Sequence, residues 1–170
     1  MSITTTIAAF AVAGIAAAFA LAPRQQIETE IEIAASPQEV WAVLADGGRY
    51  KEWNPFMLGM AGELKQGARL SNVMQPEPGK TMTFRPVVLK AEPGRELRWL
   101  GRLVMPRLFD GEHYFVLEET AGGTRLVHGE RFHGVLLWVM DARKFLANFQ
   151  AMNRALKERV EAGGAEAAGV

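Results

Sequence analysis

The chain has 170 residues, 49% of them hydrophobic, and its 19 Lys and Arg residues balance its 19 Asp and Glu residues. This length is enough for one domain with a substantial core, and the zero net charge excludes an overall field that would recruit nucleic acid. The chain contains no cysteine, which excludes disulfides and thiolate zinc sites and leaves the cellular compartment open.

The N-terminal segment, residues 1–23, carries no charged side chain, and residues 3–22 form an apolar run of 20 residues. Such a run is just long enough to cross a bilayer as a helix. We therefore predict an apolar N-terminal helix that anchors the chain, with a membrane as an expected partner. Arg24, the first positive residue, follows the run and indicates a cytoplasmic domain. A cleaved export signal and a loose soluble extension are the alternatives.

The folded domain is expected to begin after a short linker, residues 24–26. Residues 27–33 alternate between Ile or Thr and Glu, which is the pattern of a half-buried strand. Ser36 as N-cap, Pro37 at the first helical position and Glu39 completing a capping box then predict the start of a short helix.

Another short helix and six further strands follow, separated by turns that contain Gly or Pro. The predicted helix covers residues 49–53, and the predicted strands are residues 58–64, 69–74, 81–91, 96–104, 109–119 and 124–132. Pairing the strand 81–91 with the strand 96–104 through the turn at Pro93 places Phe84 opposite Leu103.

A long helix is predicted for residues 137–161. Phe145, Phe149, Met152 and Leu156 recur at spacings of three and four residues, which places them on one side of an α-helix. Residues 162–170 are rich in Gly and Ala and are expected to form a flexible tail.

This order of elements predicts an α+β helix-grip fold. It consists of a curved, seven-stranded antiparallel sheet, two short helices after the first strand, and the long C-terminal helix packed on the concave face. The domain would span residues 27–161. Large aromatic side chains, glycines and a few ionisable groups meet between the sheet and the helix, so the functional site is expected there.

Five stretches of the sequence carry a resemblance to a known family. They are residues 35–41 (ASPQEVW), 50–56 (YKEWNPF), 93–99 (PGRELRW), 111–119 (GEHYFVLEE) and 123–128 (GTRLVH). On these stretches the chain resembles the START-like or Bet v 1-like superfamily (SRPBCC), and within it the bacterial polyketide cyclase/dehydrase-type proteins. The resemblance implies an apolar cavity between sheet and helix. It does not specify a reaction, because the superfamily includes cyclases, hydrolases, lipid-transfer proteins and co-chaperone domains.

Three ionisable residues are predicted to lie on the inward face of the sheet: His113, His128 and Glu130. The turns place His113 opposite Trp99 on one side and, on the other, opposite Glu130 or, with a two-residue slip, opposite Phe132. A histidine beside a carboxylate in an apolar pocket can acquire a pKa suited to proton transfer, so His113 and Glu130 are candidate catalytic residues. The alternatives are a structural polar patch and a metal site built on the three residues. No further metal or cofactor motif supports the metal site, so neither is expected.

The predicted ligand contacts come from the sheet, from the long helix and from the short helices at the cavity mouth. They are Trp53, Phe56, Phe84, Trp99, His113, Phe115, His128, Phe132, Phe145, Phe149 and Met152. Trp53 and Phe56 can equally be explained as aromatic packing where a helix stops.

Three functions fit these expectations. The first is a module that binds or carries a small hydrophobic or lipid-like molecule, and the second is a cyclase/dehydratase-type enzyme acting on such a molecule. The third is a protein-interaction domain whose cavity is collapsed by its aromatic residues. Cavity volume separates the third function from the others, and turnover separates the second from the first. The sequence does not determine the ligand or the oligomeric state.

Overall fold

Residues 3–168 are described by the computed structural model, and they form three α-helices, eight strands and three 3-10 helices. The α-helices are α1 (Ile3–Ala20), α2 (Pro37–Ala45) and α3 (Leu146–Ala168). The strands are β1 (Arg24–Ile33), β2 (Met57–Ala61), β3 (Ser71–Glu77), β4 (Lys80–Phe84), β5 (Val87–Glu92), β6 (Glu96–Arg102), β7 (Asp110–Thr120) and β8 (Gly123–His133). The 3-10 helices are Gly47–Glu52, Val135–Trp138 and Ala142–Phe145.

The strands form two antiparallel sheets. Five strands are ordered β1-β8-β7-β6-β5, and three are ordered β2-β3-β4. Residues 67–70 connect the two sheets because they run along β5 through main-chain hydrogen bonds. In one of these, the amide of Gly67 donates to the carbonyl of Val88 at 2.9 Å.

α3 packs one side against the larger sheet. Phe149, Met152, Leu156 and Val160 are buried on this side and share one core with sheet residues that include Trp99. The apolar spacing along the helix therefore points to its buried side, as predicted. An antiparallel sheet with a long C-terminal helix is an α+β arrangement consistent with the helix-grip fold.

The number of strands differs from the prediction of one seven-stranded sheet. The predicted strand 81–91 is two strands, β4 and β5, which belong to different sheets and are separated by Arg85 and Pro86. Proline has no amide hydrogen to donate to a strand ladder, and it restricts the backbone of the residue before it. Arg85 and Pro86 therefore end β4, and β5 begins after them. Phe84 therefore pairs with Asn72 and does not lie opposite Leu103.

The predicted register of the central strands is confirmed. His113 on β7 lies opposite Trp99 on β6 and opposite Glu130 on β8. Gly101 lies opposite Gly111 in the same ladder. Because side chains alternate across a strand, this register brings the aromatic, histidine and carboxylate groups to the face that α3 covers.

The start of the domain is more regular than predicted. The expected linker, residues 24–26, belongs to β1 because it pairs with the end of β8, where Arg24 lies opposite His133. The capping box at α2 is confirmed: the Glu39 amide donates to the Ser36 hydroxyl at 3.3 Å, and the Ser36 amide donates to the Glu39 carboxylate at 2.8 Å. The second short helix is a 3-10 helix over Gly47–Glu52.

The C-terminal helix begins later and ends later than predicted. Two 3-10 helices precede α3, and the side chain of Asp141 starts the second of them by accepting a hydrogen bond from the amide of Arg143 at 2.9 Å. α3 continues to Ala168, beyond the predicted end at Glu161. Residues 169–170 of the predicted tail lie outside the described residues.

The predicted membrane anchor is not supported. None of the helices within residues 3–168 has the length and apolarity needed to span a membrane. Residues 1–2 of the predicted segment lie outside the described residues.

Candidate functional site

A cavity of about 300 Å³ opens between the two sheets and the segments that lead into α3. Its wall is almost entirely apolar, and the ionisable residues in its lining are Arg102, His113 and Glu130. The other lining residues are Phe56, Met57, Met74, Met82, Phe84, Trp99, Gly101, Leu103, Phe109, Gly111, Phe132, Leu136, Met140 and Phe145.

The residues predicted to bind a ligand divide into two layers. Those that line the cavity are Phe56, Phe84, Trp99, His113, Phe132 and Phe145, together with the candidate catalytic residue Glu130. Those buried behind the lining are Phe115, His128, Phe149 and Met152. Trp53 is absent from the lining and packs edge-on against Tyr50, with ring centroids 5.1 Å apart.

Four methionines in the cavity wall were not predicted: Met57, Met74, Met82 and Met140. Met74 and Met82 lie on β3 and β4, which the sequence analysis did not place in a separate sheet. The signal was present in the sequence, because three of these methionines fall within residues 57–82. Methionine is flexible and polarisable, so this side of the wall can adapt to ligands of different shape.

Glu130, His113, His128 and Asn153 form an unbroken chain of hydrogen bonds from the cavity into the core. The Oε2 atom of Glu130 lies 3.3 Å from Nδ1 of His113, and the Nε2 atoms of His113 and His128 are 3.0 Å apart. Nδ1 of His128 lies 2.7 Å from Oδ1 of Asn153. The cavity floor is therefore connected to α3 through two imidazole rings.

Asn153 was missed by the sequence analysis. It is 2% exposed and lies four residues after Phe149, which puts it on the buried side of α3. The available signal was a polar residue at an apolar position of the helical repeat.

Aromatic rings hold both histidines in place. The ring of His113 stacks on Trp99, with centroids 4.6 Å apart and planes at 4°. The ring of His128 stacks on Phe149, with centroids 4.2 Å apart and planes at 7°. Since both rings are fixed by stacking, their nitrogen atoms point along the chain of hydrogen bonds.

Burial shifts the three ionisable groups of this hydrogen-bonded series, His113, His128 and Glu130, towards their neutral forms. Loss of hydration lowers the pKa of His113 to about 3 and holds the pKa of His128 well below its usual value. The same cause raises the pKa of Glu130 to about 8. At neutral pH the cavity floor therefore carries a protonated carboxyl group and two uncharged imidazoles.

A neutral carboxyl group in an apolar cavity can exchange hydrogen bonds or a proton with a bound molecule. The side chain of Glu130 keeps 20% of its surface accessible, whereas that of His113 keeps 5%. Glu130 is thus the member of the chain that a ligand can reach. No set of three His, Asp or Glu side chains suited to a metal ion occurs within the part of the chain that the structure describes.

Several solved structures are similar to this chain. Protein NE0264 from Nitrosomonas europaea has 18% identity and a TM-score of 0.67, over 82% of this chain and 96% of that chain. The Zhui aromatase/cyclase from Streptomyces sp. R1128 has 18% identity and a TM-score of 0.63, over 82% and 94%. The di-domain ARO/CYC StfQ from the steffimycin biosynthetic pathway has 18% identity and a TM-score of 0.66, over 86% and 53%. At such identities the likeness shows the fold alone.

A comparison with curated proteins finds no match. The family described as polyketide cyclase / dehydrase and lipid transport matches residues 24–161. The match covers both sheets, α2 and most of α3, including the cavity and the chain from Glu130 to Asn153. The protein therefore belongs to this polyketide cyclase / dehydrase and lipid transport family, as its START-like sequence features indicate.

Proposed function

We propose that this protein binds a small hydrophobic molecule in the cavity between the sheets and α3, and holds or carries it there. The observation that carries the proposal is an open, apolar cavity of about 300 Å³. Ligand sites in proteins are mostly apolar clefts of roughly 300 to 1,000 Å³ with a few placed polar groups. This cavity lies at the small end of that range.

The cavity lining supports an apolar ligand in a second way. Phe109 stacks on Phe132, with centroids 5.4 Å apart, and Phe132 faces Phe145 at 6.2 Å. Flat aromatic walls favour a flat or unsaturated ligand, because rings stack in offset arrangements.

The open volume argues against an interaction domain with a collapsed cavity. Collapse would require the aromatic side chains to fill the space between sheet and helix. The buried aromatics Phe115 and Phe149 instead pack behind the floor and leave the space in front of Trp99 free.

Native mass spectrometry of the purified protein tests the proposal. Gentle ionisation preserves a bound small molecule, so we expect a measured mass above that of the polypeptide alone. Collisional activation should release the bound molecule and leave the mass of the polypeptide. Protein that is stripped of small molecules and then takes up no apolar compound would contradict binding.

A cyclase/dehydratase-type enzyme is the second candidate, and the contact between Glu130 and His113 at the cavity floor favours it. Such reactions move protons on a hydrophobic substrate, and a carboxylic acid with a pKa near neutrality is suited to that role. One of the structures similar to this chain is named an aromatase/cyclase. Glu130→Gln should then abolish turnover and leave binding intact.

A further inference from the structure

The chain from Glu130 to Asn153 can point in only two directions. A neutral imidazole has one N–H donor and one acceptor nitrogen, so each histidine must donate on one side and accept on the other. Once the direction of one hydrogen bond is set, the directions of the other two follow. Whether Glu130 donates to His113 or accepts from it is therefore coupled to the orientation of the Asn153 amide.

In the observed direction, Asn153 presents its carbonyl oxygen. Nδ1–H of His128 donates to Oδ1 of Asn153, which leaves Nε2 of His128 as an acceptor. Nε2–H of His113 donates to that acceptor, so Nδ1 of His113 must accept from Glu130. Glu130 can donate only when its carboxyl group is protonated.

In the opposite direction, Asn153 presents its NH₂ group. Every donor and acceptor is then exchanged, and Oε2 of Glu130 accepts a hydrogen bond from His113, either as part of an ionised carboxylate or as the carbonyl oxygen of an acid whose hydrogen lies on Oε1. The ionised form places a negative charge on the floor of an apolar cavity beside an uncharged imidazole, whereas the acid form makes Oε1 a donor instead of an acceptor. Burial of an unpaired charge is strongly unfavourable, so Glu130 stays neutral in either direction. The structure has the first direction, because Oδ1 of Asn153 is the atom that faces His128.

The charged groups around Glu130 do not change this balance. From β7 it faces His113, from β1 its opposite residue is Ile27, and α3 contributes the uncharged Asn153 through the chain. The cation in the cavity lining is Arg102, whose Nε lies 3.7 Å from the carboxylate of Asp110. Arg102 is thus already opposed by a negative charge.

The second carboxyl oxygen of Glu130 is left for a ligand. Oε1 has no hydrogen-bond donor among the described residues, whereas Oε2 contacts His113. Oε1 occupies the space beside Gly111, which itself lines the cavity. When Oε2 holds the proton, Oε1 is a carbonyl oxygen that accepts hydrogen bonds.

We infer that Asn153 is a positioning residue that fixes the direction of this chain, so that Glu130 offers an acceptor oxygen to an uncharged, mainly apolar ligand bearing a hydroxyl or N–H group. This inference rests on the proposed binding function. It adds a chemical class to it: the ligand donates one hydrogen bond at the cavity floor and carries no negative charge there.

Nitrogen-15 NMR of the histidine rings tests the direction of the chain directly. The protein has three histidines in all, so their signals are few. Protonated and unprotonated ring nitrogens have well-separated chemical shifts. At neutral pH we expect His113 to carry its hydrogen on Nε2 and His128 to carry its hydrogen on Nδ1. The reverse tautomers, or a charged imidazolium at either residue, would overturn the inference without any variant being made.

Two substitutions then separate positioning from simple structure. Glu130→Gln replaces the protonated carboxyl group by an amide that donates and accepts in the same places, so both tautomers should be unchanged. Asn153→Leu removes the acceptor for His128, so the His128 hydrogen should no longer be confined to Nδ1. Unchanged tautomers in Asn153→Leu would show that Asn153 does not set the direction.

Three naphthalene probes of nearly equal size test the ligand class: 2-naphthol, 2-methylnaphthalene and 2-naphthoate. We expect 2-naphthol to bind about fivefold more tightly than 2-methylnaphthalene, the effect of one hydrogen bond, and 2-naphthoate to bind most weakly. Glu130→Leu should remove the preference for 2-naphthol, and Glu130→Gln should retain it. Equal binding of 2-naphthol and 2-methylnaphthalene, or tightest binding of 2-naphthoate, would overturn this inference and leave the proposed function standing. Absence of binding by all three would overturn both.

Discussion

Gly111 on β7 provides the space that the carboxyl group of Glu130 on β8 occupies. A Cβ atom at position 111 would overlap Oε1 of Glu130. The equivalent glycine on the neighbouring strand, Gly101, differs, because a Cβ atom there would lie 3.6 Å from the ring of Phe84 in ordinary contact. The two glycines lie opposite each other in the ladder, yet only Gly111 is tied to the position of Glu130.

Gly111→Ala should therefore displace the carboxyl group of Glu130 while the domain still folds. The overlap is with the end of a flexible side chain, so we expect a loss of stability of about 1 kcal/mol, at the low end of the cost of overpacking. The contact between Glu130 and His113 should be lost, and the ring-nitrogen shifts of His113 should change. Gly101→Ala is the matched control and should leave these shifts as they are. Equal changes in both variants would contradict the spatial link between Gly111 and Glu130.

The pH dependence of stability should reveal the protonated carboxyl group. Burial raises the pKa of Glu130 from its usual value of 4.5 to about 8. Between pH 4.5 and 8 the carboxyl group is therefore protonated in the folded state and ionised in the unfolded state. Stability due to Glu130 is complete below about pH 4.5 and is lost as the pH rises to about 8, at about 1.4 kcal/mol per pH unit. Chemical denaturation of the wild type and Glu130→Gln between pH 6.5 and 8 measures this. The variant should lack the decline, and parallel curves would contradict the shifted pKa.

The histidines produce a loss of stability at the acidic side. Burial lowers the pKa of His113 from its usual value of 6.5 to about 3, so the unfolded state binds the extra proton in that window. Stability should fall as the pH drops below about 6.5, at about 1.4 kcal/mol per pH unit for each buried histidine. In the same denaturation series, His113→Gln should reduce this slope by the contribution of one histidine, about 1.4 kcal/mol per pH unit. A slope unchanged by the substitution would show that His113 titrates normally.

Phe149 should be important for stability and Phe145 much less so. Phe149 is fully buried, stacks on His128 and lies 5.7 Å from the ring of Phe56. Phe149→Ala should therefore cost about 3 to 5 kcal/mol of unfolding free energy. Phe145 lines the open cavity and leaves no comparable void, so Phe145→Ala should cost less than about half as much. Urea unfolding of both variants measures the difference, and a loss in Phe149→Ala no larger than that in Phe145→Ala would place the cavity elsewhere.

The pairing of His113 with Trp99 and Glu130 was predictable because short turns fix strand register. A turn containing Pro or Gly between two strands leaves few registers open, and alternation then decides which residues share a face. The same reasoning failed at residues 81–91, where an apparent single strand continues through Arg85 and Pro86. Sequence alternation does not show to which sheet each half belongs, so Met74 and Met82 were not placed in the cavity wall.

The depth of each aromatic residue was also beyond the sequence. Phe145 and Phe149 lie on the same side of the helical repeat, but one lines the cavity and the other supports its floor. Their difference depends on where the core is filled, which requires the positions of both sheets. Asn153 was overlooked for a related reason: its role depends on a histidine 25 residues earlier in the chain.

The central claim is that the cavity in front of Trp99 binds a hydrophobic molecule, and a titration with 2-methylnaphthalene, followed by fluorescence, tests it most directly. Gly101 lines the cavity, so Gly101→Leu should fill it and weaken binding by about tenfold or more, equivalent to about 1.4 kcal/mol. Gly122 lies in the turn between β7 and β8 with no atoms near its Cβ position, so Gly122→Leu is the matched control and should bind as the wild type does. Saturable binding that is lost only in Gly101→Leu is the predicted result, and equal binding by both variants, or none by the wild type, would contradict the account.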